Sequence, residues 1–169
     1  MAHEYPPVAF YFQLSFSGIS GTVDASFKEV SGISMEMGIE EITEGGNNAF
    51  KHRVPTSVKF SNLVLKRGLV PKDSEVIAWC KSTLEGGLAE VIETKNITVH
   101  LLNENGDPLN SWSFMNAWPV KWAAADLHSM NNEVMIETLE FAYSNFTEMT
   151  SPASTSDDDD GDFGFDLFN

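Results

Sequence analysis

The chain has 169 residues, enough for one domain with a substantial core and too few for two comfortable ones. Its 25 acidic residues against 10 basic ones give a formal net charge of -15, and a surface this acidic repels phosphate backbones and anionic headgroups, which argues against direct nucleic-acid or membrane-surface binding. The single cysteine, Cys80, has no partner for an internal disulfide, and the opening Met1-Ala2-His3-Glu4-Tyr5-Pro6-Pro7 lacks the basic start and apolar run of a signal peptide, so cytoplasmic synthesis is expected.

Val8 to Phe16 alternates Phe10, Phe12, Leu14 and Phe16 with Tyr11, Gln13 and Ser15, the pattern of a strand with one buried face, and Gly18 and Gly21 end it. Ser34 to Glu44 is also extended. Met35, Met37 and Ile39 fall on one face, and Glu36, Glu40 and Glu44 on the other. Gly45-Gly46-Asn47-Asn48 then tolerates positive φ, and Ser57 to Lys66 returns, which predicts a long hairpin with a loop of about ten residues. The convincing helix runs from Ser74 to Glu85, capped by Asp73 or Ser74 and stopped by Gly86-Gly87, with Val76, Ile77, Cys80 and Leu84 as its apolar stripe, widened by Trp79. Asn96 to Leu102 alternates again, Asn105-Gly106 marks a hairpin turn, Ser111 to Trp122 returns, and Glu133 to Phe146 closes the body. Residues 1–149 therefore read as a mainly β domain and residues 150–169 as a flexible acidic tail, since Asp157 to Asp160 and Asp162 cannot build a core.

The residues offer no catalytic, metal or cofactor set. His3, His52, His100 and His128 have no metal-pair spacing, and neither nucleophile elbow, phosphate loop nor dinucleotide fingerprint is present. Cys80, in the helix stripe beside Trp79, reads as core. The aspartate run fails as a calcium loop because Leu167 stands where a bidentate acid is required. It reads as a solvated tail or, with Phe163, Phe165, Leu167 and Phe168 interleaved among acids, as a short segment for docking on a partner. Trp112, Phe114, Asn116 and Trp118 share a predicted strand face, which suits a core or subunit interface better than a sugar platform. A monomeric β-barrel binding a small ligand or sugar is the alternative that this aromatic region keeps open.

Five runs occur in a telling order: Phe27-Lys28-Glu29-Val30-Ser31-Gly32-Ile33; Glu44-Gly45-Gly46-Asn47-Asn48; Phe60-Ser61-Asn62-Leu63-Val64-Leu65-Lys66-Arg67-Gly68; Asn116-Ala117-Trp118-Pro119-Val120-Lys121-Trp122; and Glu133-Val134-Met135-Ile136-Glu137 through Leu139-Glu140. This order resembles the tail tube proteins of contractile phages, extracellular injection particles and R-type pyocin-like tails. The resemblance implies a two-sheet antiparallel, barrel- or sandwich-like subunit with one flanking helix, forming hexameric rings that stack into a hollow tube inside a contractile sheath. It also implies baseplate or spike and terminal cap proteins as partners, cargo or a tape-measure protein in the lumen, and a place in a virion tail or a released injection particle. By the same analogy the loop of Glu44, Gly45, Gly46, Asn47, Asn48, Phe50, Lys51, His52 and Arg53 reaches a neighbouring subunit or ring, where its cations meet carboxylates. Glu36 and Glu40 are then candidates for the channel wall. The acidic tail lies outside the resemblance.

Overall fold

The structure, a computed structural model, describes residues 11–20, 26–46, 49–68, 74–125 and 135–150. The inward alternation of Leu14 with Phe16, Leu63 with Leu65, Ile97 with Val99, and Leu139 with Phe141 builds one curled antiparallel sheet. Its members are β1 (Tyr11–Phe16), β2 (Ser26–Phe27), β3 (Glu29–Ser31), β6 (Leu63–Gly68), β7 (Lys95–Leu102), β8 (Pro108–Ala124), β9 (Ile136–Ala142) and β10 (Asn145–Thr150). They run in the order β2-β1-β7-β8-β9-β6-β3, with β10 added to β8. β4 (Met35–Ile42) and β5 (His52–Phe60) form a separate two-stranded sheet.

The 17-residue β8 is the spine of the body. Its first half pairs with β7 and β10, its second half with β9. Between them Asn116 adopts φ 52, a left-handed conformation that Asn tolerates, and its N–H donates to Asn96 Oδ1 at 3.1 Å. This residue breaks the alternation: Phe114 and Ala117 are both fully buried, and Asn116 is exposed. The face expected to carry Trp112, Phe114, Asn116 and Trp118 together is therefore not continuous.

Of the expected barrel- or sandwich-like arrangement, no closed barrel is present among the described residues, where no ladder joins β1 to β6. The two ends of the strand order nonetheless meet through the chain, since β2 and β3 are separated only by Lys28, whose N–H donates to the Lys66 carbonyl at 2.9 Å. Phe27 can then reach Phe16 from one side and the Arg67 guanidinium from the other.

One helix, α1 (Glu75–Gly86), flanks this sheet as predicted, and Ser74 is its cap, its hydroxyl accepting from the Ile77 N–H at 3.2 Å. α1 lies across β8 and inserts Val76, Trp79 and Cys80 into the core, whereas Leu84 stays exposed. Trp79 stacks on Phe141 at 5.4 Å and meets Phe16 edge-on, and its indole N–H donates to the Glu93 carbonyl at 3.0 Å. Burying such rings contributes most of what holds the sheet and helix together.

Candidate functional site

Ser57 to Lys66, read as one strand, is two: β5 ends at Phe60, and Leu63 begins β6 in the main sheet. The partner of β4 is thus His52–Phe60, and the loop spans residues 43–51. Met37 faces Val58 and Ile39 faces Pro55, so Gly38 stands opposite both Thr56 and Ser57 in a bulge. A Cβ on Gly38 would lie 2.1 Å from Thr56 Oγ1. Pro55, which has no N–H to give a ladder, is tolerated because the sheet has only edge strands.

Residues paired across a ladder share a face. One face of the hairpin therefore carries Met35 with Phe60, Met37 with Val58, and Ile39 with Pro55, ending in Glu41 with Arg53; the other carries Glu36 with Lys59, Glu40 with Val54, and Ile42 with His52. The first is an apolar stripe without a cover: Met35 is 60% exposed, Met37 54%, Ile39 56% and Val58 44%. The hairpin is tied to the body at its root. There Phe60 packs on Tyr143 at 5.9 Å and on Phe146 at 5.8 Å, and the Ser34 hydroxyl donates to that of Ser61 at 2.7 Å. Gly32, at φ 84, lets the chain pass Asn62, whose carbonyl oxygen would lie 1.9 Å from any Cβ at this position.

The sequence-predicted contact residues gather at the hairpin's far end. Glu44 accepts a hydrogen bond from His52 at 3.0 Å, Lys51 lies 3.6 Å from Glu41, and Phe50 meets the His52 ring edge-on at 5.3 Å. His52 and Arg53 begin β5 and are not loop residues; Gly45 and Gly46 form the turn, with open space around both. Asn47 and Asn48 lie outside the described residues, as do Phe163, Phe165, Leu167 and Phe168. Glu36 and Glu40 are exposed on the polar face, but Glu44 has left the strand, and Lys59 opposes Glu36.

Several described residues weighed for chemistry serve packing. Cys80 is fully buried. His100 Nδ1 lies 2.7 Å from the Ser111 hydroxyl. Trp122, half-buried, donates to Glu137 at 2.6 Å beneath the Lys81 ammonium, and Trp112 packs against the core, so neither leaves an open sugar platform. Sequence reasoning missed the buried pair of Arg67 and Glu137, 3.2 Å apart, in which Arg67 also donates to Ser74 at 2.9 Å. Arg67 follows Leu63 and Leu65, and Glu137 precedes Leu139 and Phe141, at the same inward spacing; that parity was the available signal. No group of three or more possible metal ligands occurs among the described residues, and none of their helices is long and apolar enough to cross a membrane.

A sheet, a flanking helix and a hairpin with an exposed apolar face are the parts of a structural subunit. A sequence profile described as T4-like virus tail tube protein gp19 matches residues 8–147, and the chain belongs to that family. By that membership it is a structural subunit of a tail tube. No curated protein matches it by sequence. Among solved structures it is similar to a chain in the cryo-EM structure of the anti-feeding prophage baseplate, 6-fold symmetrised, at 26% identity over 89% of this chain and 98% of that one, with a TM-score of 0.68. It is also similar to a chain in the PVC extracellular contractile injection system, sheath–tube complex in the extended state, at 22% identity, 88% and 95% coverage and a TM-score of 0.70. Hcp1 from Flavobacterium johnsoniae shares the fold at 15% identity, 83% and 96% coverage and a TM-score of 0.51.

Proposed function

We propose that this chain forms hexameric rings that stack into a hollow, non-catalytic conduit inside a contractile sheath, with the β4–β5 hairpin as the main contact between subunits. The observation that carries this reading is the exposed stripe of Met35, Met37, Ile39 and Val58, since contiguous apolar side chains on a surface mark a site of contact with another protein. The outer edges of both hairpin strands, and the outer side of β10, also carry no ladder among the described residues, which suits edge-to-edge closure around a ring. The 6-fold symmetrised baseplate and the sheath–tube complex of the similar proteins support sixfold rings with sheath, baseplate and cap partners.

Covering the apolar face leaves the opposite face in solvent, which keeps Glu36 and Glu40 as channel-wall candidates facing cargo or a tape-measure protein. Phe163, Phe165, Leu167 and Phe168 remain candidates for docking on a partner of the tube. Assembly takes place in the cytoplasm, with the finished particle released from the cell or carried as a virion tail.

Electron microscopy of the purified chain beside the double variant Met37→Asp, Ile39→Asp tests the reading. Rings or tubes are expected from the parent and folded, unassembled subunits from the variant; each change alters the monomer's stability by only about 0.5 kcal/mol because both sites are already wet. Rings from the variant as readily as from the parent would remove the hairpin face from the interface, and a parent that stays monomeric at high concentration would overturn the tube assembly.

A further inference from the structure

Behind α1 lies a second feature that the fold leaves unused. The segment from Gly87 to Lys95 stands away from the helix and, with Gly18 and Ile19, encloses an open cleft of about 470 Å³. Its apolar lining includes Ile19, Trp79, Val91 and Ile92, and Glu75 and Glu90 bring carboxylates to it. Val91 is 98% exposed and its neighbour Leu88 97%, an unusual place for two branched apolar side chains. Residues 75–93 hold four glutamates against Lys81 alone. Glu93 is engaged by Lys95 at 2.8 Å, which leaves Glu75, Glu85 and Glu90 to set the sign of the surface. Whatever fits here presents an apolar group flanked by positive charge.

The hairpin end of this same chain has that chemistry. Phe50 is 59% exposed and is followed directly by Lys51, His52 and Arg53. The ion pairs of Lys51 and His52 are exposed ones to Glu41 and Glu44, and Arg53, paired across the ladder with Glu41, has no ion pair among the described residues. We propose that the tip of one subunit's hairpin inserts Phe50 into the cleft between α1 and residues 87–95 of a second copy, with Lys51 and Arg53 set against Glu75 and Glu90. This pairing rests on the tube reading and gives its hairpin a named receptor. The two patches are different surfaces of one molecule, so the contact is head-to-tail and propagates from copy to copy, as an assembling ring or stack requires. Exposed charges of this kind fix register and speed encounter, and burial of Phe50 against the exposed Val91 and Ile92 supplies the holding energy.

Disulfide trapping between two single variants, Phe50→Cys and Val91→Cys, tests the pairing on the full chain, with the fully buried Cys80 retained. The two are mixed before assembly, the assemblies are pelleted and oxidised, and non-reducing gels are read alongside electron micrographs. A covalent dimer found in the mixture but in neither variant alone is expected, because a disulfide requires Cβ atoms about 3.8 Å apart. Arg53→Glu added to the first variant is expected to lose that dimer and Glu90→Lys added to the second to restore it. Tubes in the micrographs without a mixture-specific dimer overturn the pairing and leave the tube reading standing; absence of rings and dimer alike overturns both. A double variant that closes its disulfide within a monomer assigns the cleft to the chain's own hairpin and likewise overturns the contact between copies.

Discussion

The hairpin and the body use the same kind of sequence to opposite ends. In β9, residues Ile136 to Ala142 alternate, and Glu137, Leu139 and Phe141 are buried at every second position. In β4, residues Met35 to Ile39 alternate as regularly, yet Met35, Met37 and Ile39 are all more than half exposed. Alternation states which side of a strand is apolar and is silent on what covers it. In the body the cover is α1 and the curl of the sheet. In the hairpin no described residue supplies it.

Substitutions in the body should therefore be costly to the isolated subunit. The largest effect is expected from Phe141→Ala, which removes a fully buried ring stacked on Trp79 and packed on Phe16 and leaves a cavity the sheet cannot close, about 4 kcal/mol in denaturant unfolding. A cost below 1 kcal/mol would mean that the seam between sheet and helix is not the body's core. Next is Arg67→Met, at about 3 kcal/mol, because Glu137 is left charged and buried with the Trp122 N–H still donating to it. Recovery of most of that stability by Glu137→Gln in the same chain would identify the stranded carboxylate as the cause. Gly32→Ala probes the junction between the two regions. Positive φ and the Asn62 carbonyl both oppose a Cβ there, so the loss is about 2 kcal/mol, read as a lower unfolding midpoint together with faster proteolysis of the hairpin.

How far the sequence discloses this architecture depends on whether a signal is local. The helix and its Ser74 cap, the strand at Asn96 to Leu102 and the turn at Asn105-Gly106 are set by residues a few positions apart, and the structure has them where they are predicted. The break between β5 and β6 has no such mark. Ser61 and Asn62 interrupt an extended run without glycine or proline, and the strand changes sheets because Leu63 and Leu65 have β9 to pair with, some seventy residues away. The change of face at Asn116 is equally hidden, since an asparagine within an aromatic strand reads as one more polar position until its backbone is seen. At the candidate site the position of the hairpin loop was legible, except that His52 and Arg53 lie in β5. That the methionine stripe beneath it has no cover among the described residues required the structure.

The smallest effect concerns Tyr143, where the hairpin root meets the core. Its ring touches Phe60, Phe114 and Phe146, and its hydroxyl is buried with no hydrogen-bond partner among the described residues. Burial raises its pKa above the ordinary 10.0 because the phenolate would lose its water. The unfolded chain releases this proton near pH 10 and the folded chain only at higher pH, so above pH 10 the folded state holds more protons and loses stability as pH rises toward the folded value. Tyr143→Phe removes both liabilities. It is expected to raise stability at pH 7 by up to about 1 kcal/mol, since an unpaired buried hydroxyl is deleted with the ring retained, and to flatten the fall in unfolding midpoint above pH 10. A substantial loss at pH 7 would instead mean that the hydroxyl has a partner, and that the root of the hairpin is fastened by a hydrogen bond as well as by aromatic packing.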